Sequence, residues 1–398
     1  MNYQEIFELD KKSVMQTYGR FGVAFVKGSG SKLYDPAGKE YIDFSSGIGV
    51  NSLGYCDPEW VKKVSEQAGT LAHISNLYYN PVSTALCDRL AAASELGGSV
   101  FLANSGAESN EGAIKLARKY SFDKYGPGRS TVITLVNSFH GRTITTLAAT
   151  GQDTFHNYFF PFTEGFKHIE PNDLALLEKE MSSDVCGIIL EGVQGEGGIL
   201  PLSQEYVEGV FKLAKEKDIL VIFDEVQTGM GRTGSFFSYM NFGLKPDVAT
   251  TAKGLGGGLP IGAVIASDRV RDVLSPGMHA TTFGGNFLSC AGAHAVMDRL
   301  ATPGFLESVT EKGEYISKKF LENKADCGVA EVRGRGLMIG IDIEGVPAID
   351  ICKKLLEKGV VTLTAKTTLR LLPPLTITYD EINKGLDVIF DTIKEMKA

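Results

Sequence analysis

The stretch "TTAKGLGGGLPIG" (250–262) holds one lysine, Lys253, ahead of a dense run of glycines. A nucleoside-triphosphate loop has the reverse order, glycines first and then lysine followed by Ser or Thr. Lys253 therefore reads either as an ordinary surface lysine or as an amine kept reactive by partial desolvation, as covalent chemistry on a carbonyl requires. On the second reading, the glycines would let the chain pass close beside a flat ligand. Other candidates accompany it. "ILVIFDEVQTGMGRTG" puts Asp224 and Glu225 directly after an apolar run, and "GIILEGVQGEGG" does the same with Glu191, then Glu196. Asp224 could face a cationic ring nitrogen or a metal, cap a turn, or pair with Arg232. "LVNSFHGRT" offers Phe139 as a stacking face and Arg142 as a carboxylate fork. His140 could be a general base or a histidine held by its neighbours. "FLANSGAESNEGAIKLAR" brings Ser105, Gly106 and Ala107 to the start of a helix, where free N–H groups and the helix dipole suit a phosphate. An ordinary capped helix would look the same.

The elements that would carry these residues alternate. Strands are expected at "SVFLANSG", "TVITLV", "CGIIL" and "ILVIF", with two more at "DVATTAKG" and "IGAVIAS". Helices are expected at "AESNEGAIKLARKYSF" and "SQEYVEGVFKLAKEK", the latter with Tyr206, Val207, Val210, Phe211, Leu213 and Ala214 at helical spacing. The strands are apolar on both faces, the pattern of a mostly parallel sheet covered by helices on each side. Ligands of such sheets sit outside the carboxyl ends of the strands, where every candidate above falls. The expected division is a large α/β domain over 50–298 and a small α+β domain from 1–49 and 299–398. The small domain would include a hairpin in "KLYDPAGKEYIDF" turning at Pro36–Gly38.

A lysine for an aldehyde, an acid for a pyridinium nitrogen and a helix start for a phosphate are together what pyridoxal phosphate needs. A nicotinamide site would need G-x-G-x-x-G between a strand and a helix, which "NSGAESNEG" does not supply. The net charge of −8 gives no reason to expect nucleic acid or an anionic membrane surface, and no apolar run reaches membrane-span length. The start "MNYQEIFELDKK" lacks the apolar core of a signal peptide. Cys56, Cys87, Cys186, Cys290, Cys327 and Cys352 contain no Cys-x-x-Cys pair, which argues against structural zinc and for a reducing cytoplasm.

Together with "EGVQGEGG", "TTFGGN", "LRLLPPL", "VNSLG" and "HISNLYYNP", these motifs stand in the order found in class III aminotransferases, which the chain resembles over nearly its whole length. The resemblance implies a fold type I pyridoxal-phosphate transferase working as a homodimer with shared active sites. Lys253 would be the covalent anchor and proton carrier, and Asp224 would pair with the ring nitrogen. Gln227 would lie near the phenolic oxygen, and Phe139 would stack on the ring. Ser105, Gly106 and Ala107 would hold the phosphate, with Thr282 completing that site from the neighbouring subunit. Arg142 would bind one substrate carboxylate and Arg370 another. Glu196 would mask Arg370 while an ω-amino donor is bound, and Thr281 would lie near the acylated donor. The implied donor is N2-acetyl-L-ornithine and the acceptor 2-oxoglutarate, in arginine biosynthesis. Ornithine, succinylornithine, N-succinyl-diaminopimelate and 4-aminobutyrate are alternative donors, and a non-catalytic cofactor-binding regulator is a reading of a different class. The sequence departs from the pattern at Tyr55 and Asp57, where relatives often have histidine, and at Gly192, where proline is common.

Overall fold

The computed structural model describes residues 1–397. Its largest sheet has seven strands. In spatial order they are Ser99–Ala103, Gly262–Ala266, Val248–Thr251, Leu220–Asp224, Val185–Leu190, Thr131–Leu135 and Phe166–Ile169. Five neighbours from Val248–Thr251 to Phe166–Ile169 run parallel, and Gly262–Ala266 is antiparallel to both strands beside it. Six carboxyl ends and one amino end therefore meet along a single edge. The strands expected from sequence form, with ends shifted by up to three residues.

Alternation along these strands divides the core into two layers. Val132, Ile189, Leu220 and Ile222 pack under the helix Gly106–Tyr125, through its Ala113, Ile114, Leu116 and Ala117. Ile133, Ile188, Leu190, Val221 and Phe223 face the other way, toward the helix Gln204–Lys217. That helix starts where Ser203 accepts from the Tyr206 N–H at 3.2 Å, and it buries Tyr206, Val207, Val210 and Ala214. Each large apolar side chain so buried contributes about 1.5–3 kcal/mol.

Two four-stranded sheets lie outside the large one, and the first draws on both ends of the chain. One joins Lys27–Ser29, Lys32–Tyr34 and Glu40–Asp43 to Val360–Val361. The other contains Val329–Arg335, Met338–Ile343, Thr368–Leu371 and Leu363–Ala365. The expected hairpin is present, with Asp35 Oδ1 accepting from the Ala37 and Lys39 N–H groups at 2.9 Å each. Arg232, placed in sequence as a possible partner of Asp224, is instead fully buried elsewhere. Its guanidinium donates to the carbonyls of Leu337 (3.0 Å) and Pro373 (2.5 Å), tying the loop after Leu220–Asp224 to the C-terminal sheet. The three departures from the family pattern carry structural contacts. Tyr55 donates to Asp43 at 2.7 Å, Asp57 caps the helix Pro58–Ala68, and a Cβ at Gly192 would meet Ser238 Oγ at 2.4 Å. Among the described residues no helix is long and apolar enough to cross a membrane.

Candidate active site

A cavity of about 480 Å³ opens at the edge where the strand ends converge. Its walls come from the segments that follow five strands and precede a sixth. These are Asn104–Ala107, Phe139–Arg142, Glu191, Asp224 and Val226–Gln227 with Ala252–Lys253, and Gly258–Ile261 ahead of the reversed strand. Residues far apart in sequence meet here because parallel strands deliver all their carboxyl ends to one side.

Asp224 is the most constrained of them, with 3% exposure. Its Oδ2 accepts from Asn110 Nδ2 at 2.7 Å and from His140 Nδ1 at 2.8 Å, and its Oδ1 accepts from the Val226 N–H at 3.0 Å. A carboxylate only accepts, so His140 is the donor at Nδ1. Burial disfavours the charged imidazole, but the Asp224 bond and charge outweigh it and leave the His140 pKa raised. Asn110 is itself fixed, donating to the His140 carbonyl at 2.8 Å and accepting from Thr250 Oγ1 at 2.7 Å. With three of about four acceptor positions filled, Asp224 keeps capacity for one more donor on the cavity side.

Lys253 follows the strand Val248–Thr251 and lines the same cavity. Its backbone has φ +40°, a left-handed setting that costs a non-glycine residue about 1–3 kcal/mol. The penalty is consistent with a position chosen for where the side chain must go. Burial lowers the amine's pKa, with Glu196 opposing and Arg370 adding to the effect. Most glycines after Lys253 play a different part from the one expected. A Cβ on Gly254 would meet Ser52 Oγ at 2.6 Å, and one on Gly256 would meet the Leu259 carbonyl oxygen at 2.0 Å. Gly257 packs against Trp60, whose Nε1 donates to the Gly256 carbonyl at 3.0 Å. Within the glycine run 254–258, only Gly258 lines the cavity. The others let the loop fold tightly on the protein.

Ser105 caps the helix Gly106–Tyr125, accepting from the Glu108 N–H at 3.2 Å. The N–H groups of Gly106 and Ala107 lie in the first turn, which has no intrahelical acceptors, and both residues line the cavity. Phe139 is half-buried, and its N–H donates to Glu191 at 3.1 Å. Glu191 also accepts from the Gly195 N–H at 3.4 Å; burial pushes its pKa up to about 8. Arg370 is buried and pairs with Glu196 at 2.6 Å. Gln227 bridges the two, donating to Glu196 at 3.2 Å and accepting from Arg370 at 3.4 Å. Although burial opposes it, Arg370 and then Lys253 hold the Glu196 pKa below its usual value. Arg142 lines the cavity with its guanidinium over the ring of Phe155, 3.7 Å from the centroid.

Thr281 and Thr282 stand apart from this cavity, in a second cleft with His73, Asn76 and Leu77. Thr281 Oγ1 accepts from Asn104 Nδ2 at 3.0 Å, and Thr282 is exposed. Sequence reasoning passed over Asn110, Val226 and Phe155, and did not join His140 to Asp224. One signal for Asn110 was available. Asparagine is a poor helix former, so one on a helix's inner face needs a partner.

The donor set suits pyridoxal phosphate. A cavity-lining amine, a carboxylate with spare acceptor capacity and a helix start lie around one space, and no cluster of metal-ligating side chains occurs among the described residues. Residues 14–393 match the family model "Aminotransferase class-III". The chain is 50% identical to the acetylornithine aminotransferase of Haemophilus ducreyi, covering 100% of each. It is 47% identical to the acetylornithine aminotransferase of Caldanaerobacter subterraneus, covering 98% of this chain and 99% of that one. Among solved structures, the ornithine aminotransferase of Toxoplasma gondii, which has PLP at partial occupancy in its active site, superposes with a TM-score of 0.94. It is 31% identical, over 99% of this chain and 95% of that one. The N-acetylornithine aminotransferase of Stenotrophomonas maltophilia gives 0.86 at 34% identity, over 98% and 99%. The chain belongs to the class-III aminotransferases.

Proposed function

We propose that the protein moves the terminal amino group of N2-acetyl-L-ornithine to 2-oxoglutarate, giving N-acetyl-glutamate 5-semialdehyde and glutamate, with pyridoxal phosphate as cofactor. The observation that carries the cofactor reading is Lys253 sharing a cavity with an Asp224 that three donors already orient. Bound pyridoxal phosphate supplies an aldehyde that condenses with amines and a ring that accepts the electron pair released at the donor carbon. Asp224 holds a proton on the ring nitrogen, and His140 and Asn110 hold Asp224. The N–H groups of Gly106 and Ala107, with Ser105, bind the phosphate. Phe139 covers a ring face, and Gln227 stands by the phenolic oxygen. The Lys253 amine, its pKa lowered by burial, takes the proton from the donor carbon and returns it one position along.

The two substrates differ in charge. Glutamate carries two carboxylates, whereas acetylornithine carries one beside a neutral amide. Arg142 binds the carboxylate of acetylornithine, while Glu196 occupies Arg370. When glutamate or 2-oxoglutarate enters, Glu196 yields and Arg370 takes the second carboxylate. The 2.6 Å pair and the burial of Arg370 support this division. An unpaired guanidinium there would cost a few kcal/mol.

The functional unit in this reading is a homodimer, with Thr282 reaching the partner's phosphate site and Thr281 lying near the acyl group. Support comes from the apolar surface beside these threonines, where Leu77 is 89% exposed and Tyr78 and Phe283 are also exposed. Ornithine is the second reading for the donor, favoured by the likeness to the Toxoplasma gondii enzyme. The higher identity to acetylornithine aminotransferases ranks it below. A panel of these donors with 2-oxoglutarate, ranked by kcat/KM from glutamate formed, tests the choice. Acetylornithine should rank first; ornithine or 4-aminobutyrate in first place would overturn it.

A further inference from the structure

We infer that Phe155 is a positioning residue that presents Arg142 to the carboxylate of the donor, an inference that rests on the function proposed above. Arg142 is exposed and forms no ion pair and no hydrogen bond among the described residues, yet its guanidinium has a fixed neighbour. Its guanidinium lies over the Phe155 ring, 3.7 Å from the centroid, and 5.4 Å from the centroid of Phe139. Phe155 is not itself part of the cavity wall, whereas Arg142 is. A guanidinium stacked by its face keeps its in-plane N–H donors free, and those donors form the fork that a carboxylate accepts.

The ring's position is built. Phe155 closes a short 3-10 turn, Asp153–Phe155, with its N–H donating to the Gln152 carbonyl at 3.0 Å. The Gln152 side chain donates to the Ser138 carbonyl at 3.0 Å, and the Gly151 N–H donates to Ser138 Oγ at 3.1 Å. Asn137 N–H completes the lacing by donating to the Gly151 carbonyl at 2.7 Å. The Phe155 turn is thus fastened to the segment that leads into Phe139 and Arg142. Phe139 and Phe155 meet edge to face, with centroids 6.1 Å apart and planes at 79°. Together they form an aromatic corner whose outer ring carries the arginine.

A guanidinium left without this face samples more rotamers, and a carboxylate must then order it at binding. Loss of the ring should therefore weaken ground-state binding of a carboxylate without altering proton transfer. The probe is N2-acetyl-L-norvaline, which keeps the carboxylate and acyl group of acetylornithine and lacks the reacting amine. Its Kd, measured by calorimetry on the cofactor-loaded protein, should rise about two- to thirtyfold in Phe155→Leu, the span of cation–π contacts from exposed to desolvated sites. Phe155→Tyr should restore it. In turnover, Phe155→Leu should raise KM for acetylornithine with little change in kcat. N-acetyl-1,4-diaminobutane, which has no carboxylate, should react with the same kcat/KM in both proteins. If Phe155→Leu does not fold, Phe155→Met carries the same expectations. Wild-type protein that binds acetylnorvaline with an affinity indifferent to Phe155→Leu overturns the inference, as does an equal loss toward the carboxylate-free amine. Wild-type protein that neither binds acetylnorvaline nor turns over acetylornithine overturns the functional reading instead.

Discussion

Replacing Glu196 with alanine isolates the charge problem at the centre of the proposed mechanism. In the structure Arg370 is 3% exposed and Glu196 is its only ionic partner among the described residues, 2.6 Å away. Without Glu196, the guanidinium keeps just the Gln227 amide oxygen at 3.4 Å, and its Nε already lacks a partner. Breaking a fully buried pair costs about 3–5 kcal/mol. Glu196 is 26% exposed, so water replaces part of what is lost and about 2 kcal/mol is the reasonable share. That penalty falls unequally on the two donors. Acetylornithine displaces water from Arg370 and offers it no carboxylate. Glutamate offers one, and in the variant no longer has to break the Glu196 pair. The ratio of single-turnover specificity constants, acetylornithine over glutamate, should shift about 30-fold toward glutamate. Each half-reaction can be followed by absorbance with one amino donor at a time. Glu196→Gln, which removes the charge and keeps a hydrogen-bonding group, should move the ratio the same way by less. A ratio unchanged within about twofold would refute the reasoning, because Arg370 would then not distinguish the substrates.

Two further outcomes test the support of the site. Asn110→Ala removes the donor to Asp224 and His140 and the acceptor for Thr250, leaving buried groups unpaired. It should cost about 2–4 kcal/mol in urea unfolding, and a loss under about 1 kcal/mol would mean the network is not tight. Glu191 bears on pH. Its folded pKa is raised to about 8 by burial, against about 4.3 in an unfolded chain. The folded state therefore holds this proton more tightly. The associated stability is fully present below about pH 4.3 and is lost as pH rises to about 8, by up to a few kcal/mol. Glu191→Gln should flatten unfolding free energy across that window, and an unchanged slope would contradict the assignment.

Much of the site was legible because the chemistry sits at strand ends, and strand ends show in sequence as apolar runs stopping at polar residues. Asp224, Lys253, Phe139 and Ser105 each follow such a run. The partnership of Asp224 was not legible, since Asn110 and His140 lie 114 and 84 residues away and only the sheet order brings them together. Arg232 looked the nearer partner in sequence, yet the loop carries it to the carbonyls of Leu337 and Pro373. The glycines after Lys253 could be seen to need close approach, but not to what. Trp60 arrives at that loop from nearly two hundred residues upstream, and nothing local announces it. The hairpin in "KLYDPAGKEYIDF" followed from its turn residues, although the pairing of Val360–Val361 with Glu40–Asp43 did not.

The most direct test of the central claim is chemical. Protein loaded with pyridoxal phosphate should be yellow, and borohydride should fix the cofactor irreversibly. After proteolysis, mass spectrometry should find it on the peptide that contains Lys253, and Lys253→Ala should abolish both the labelling and transamination. Cofactor fixed to a different lysine, or full transamination by Lys253→Ala, would contradict the account.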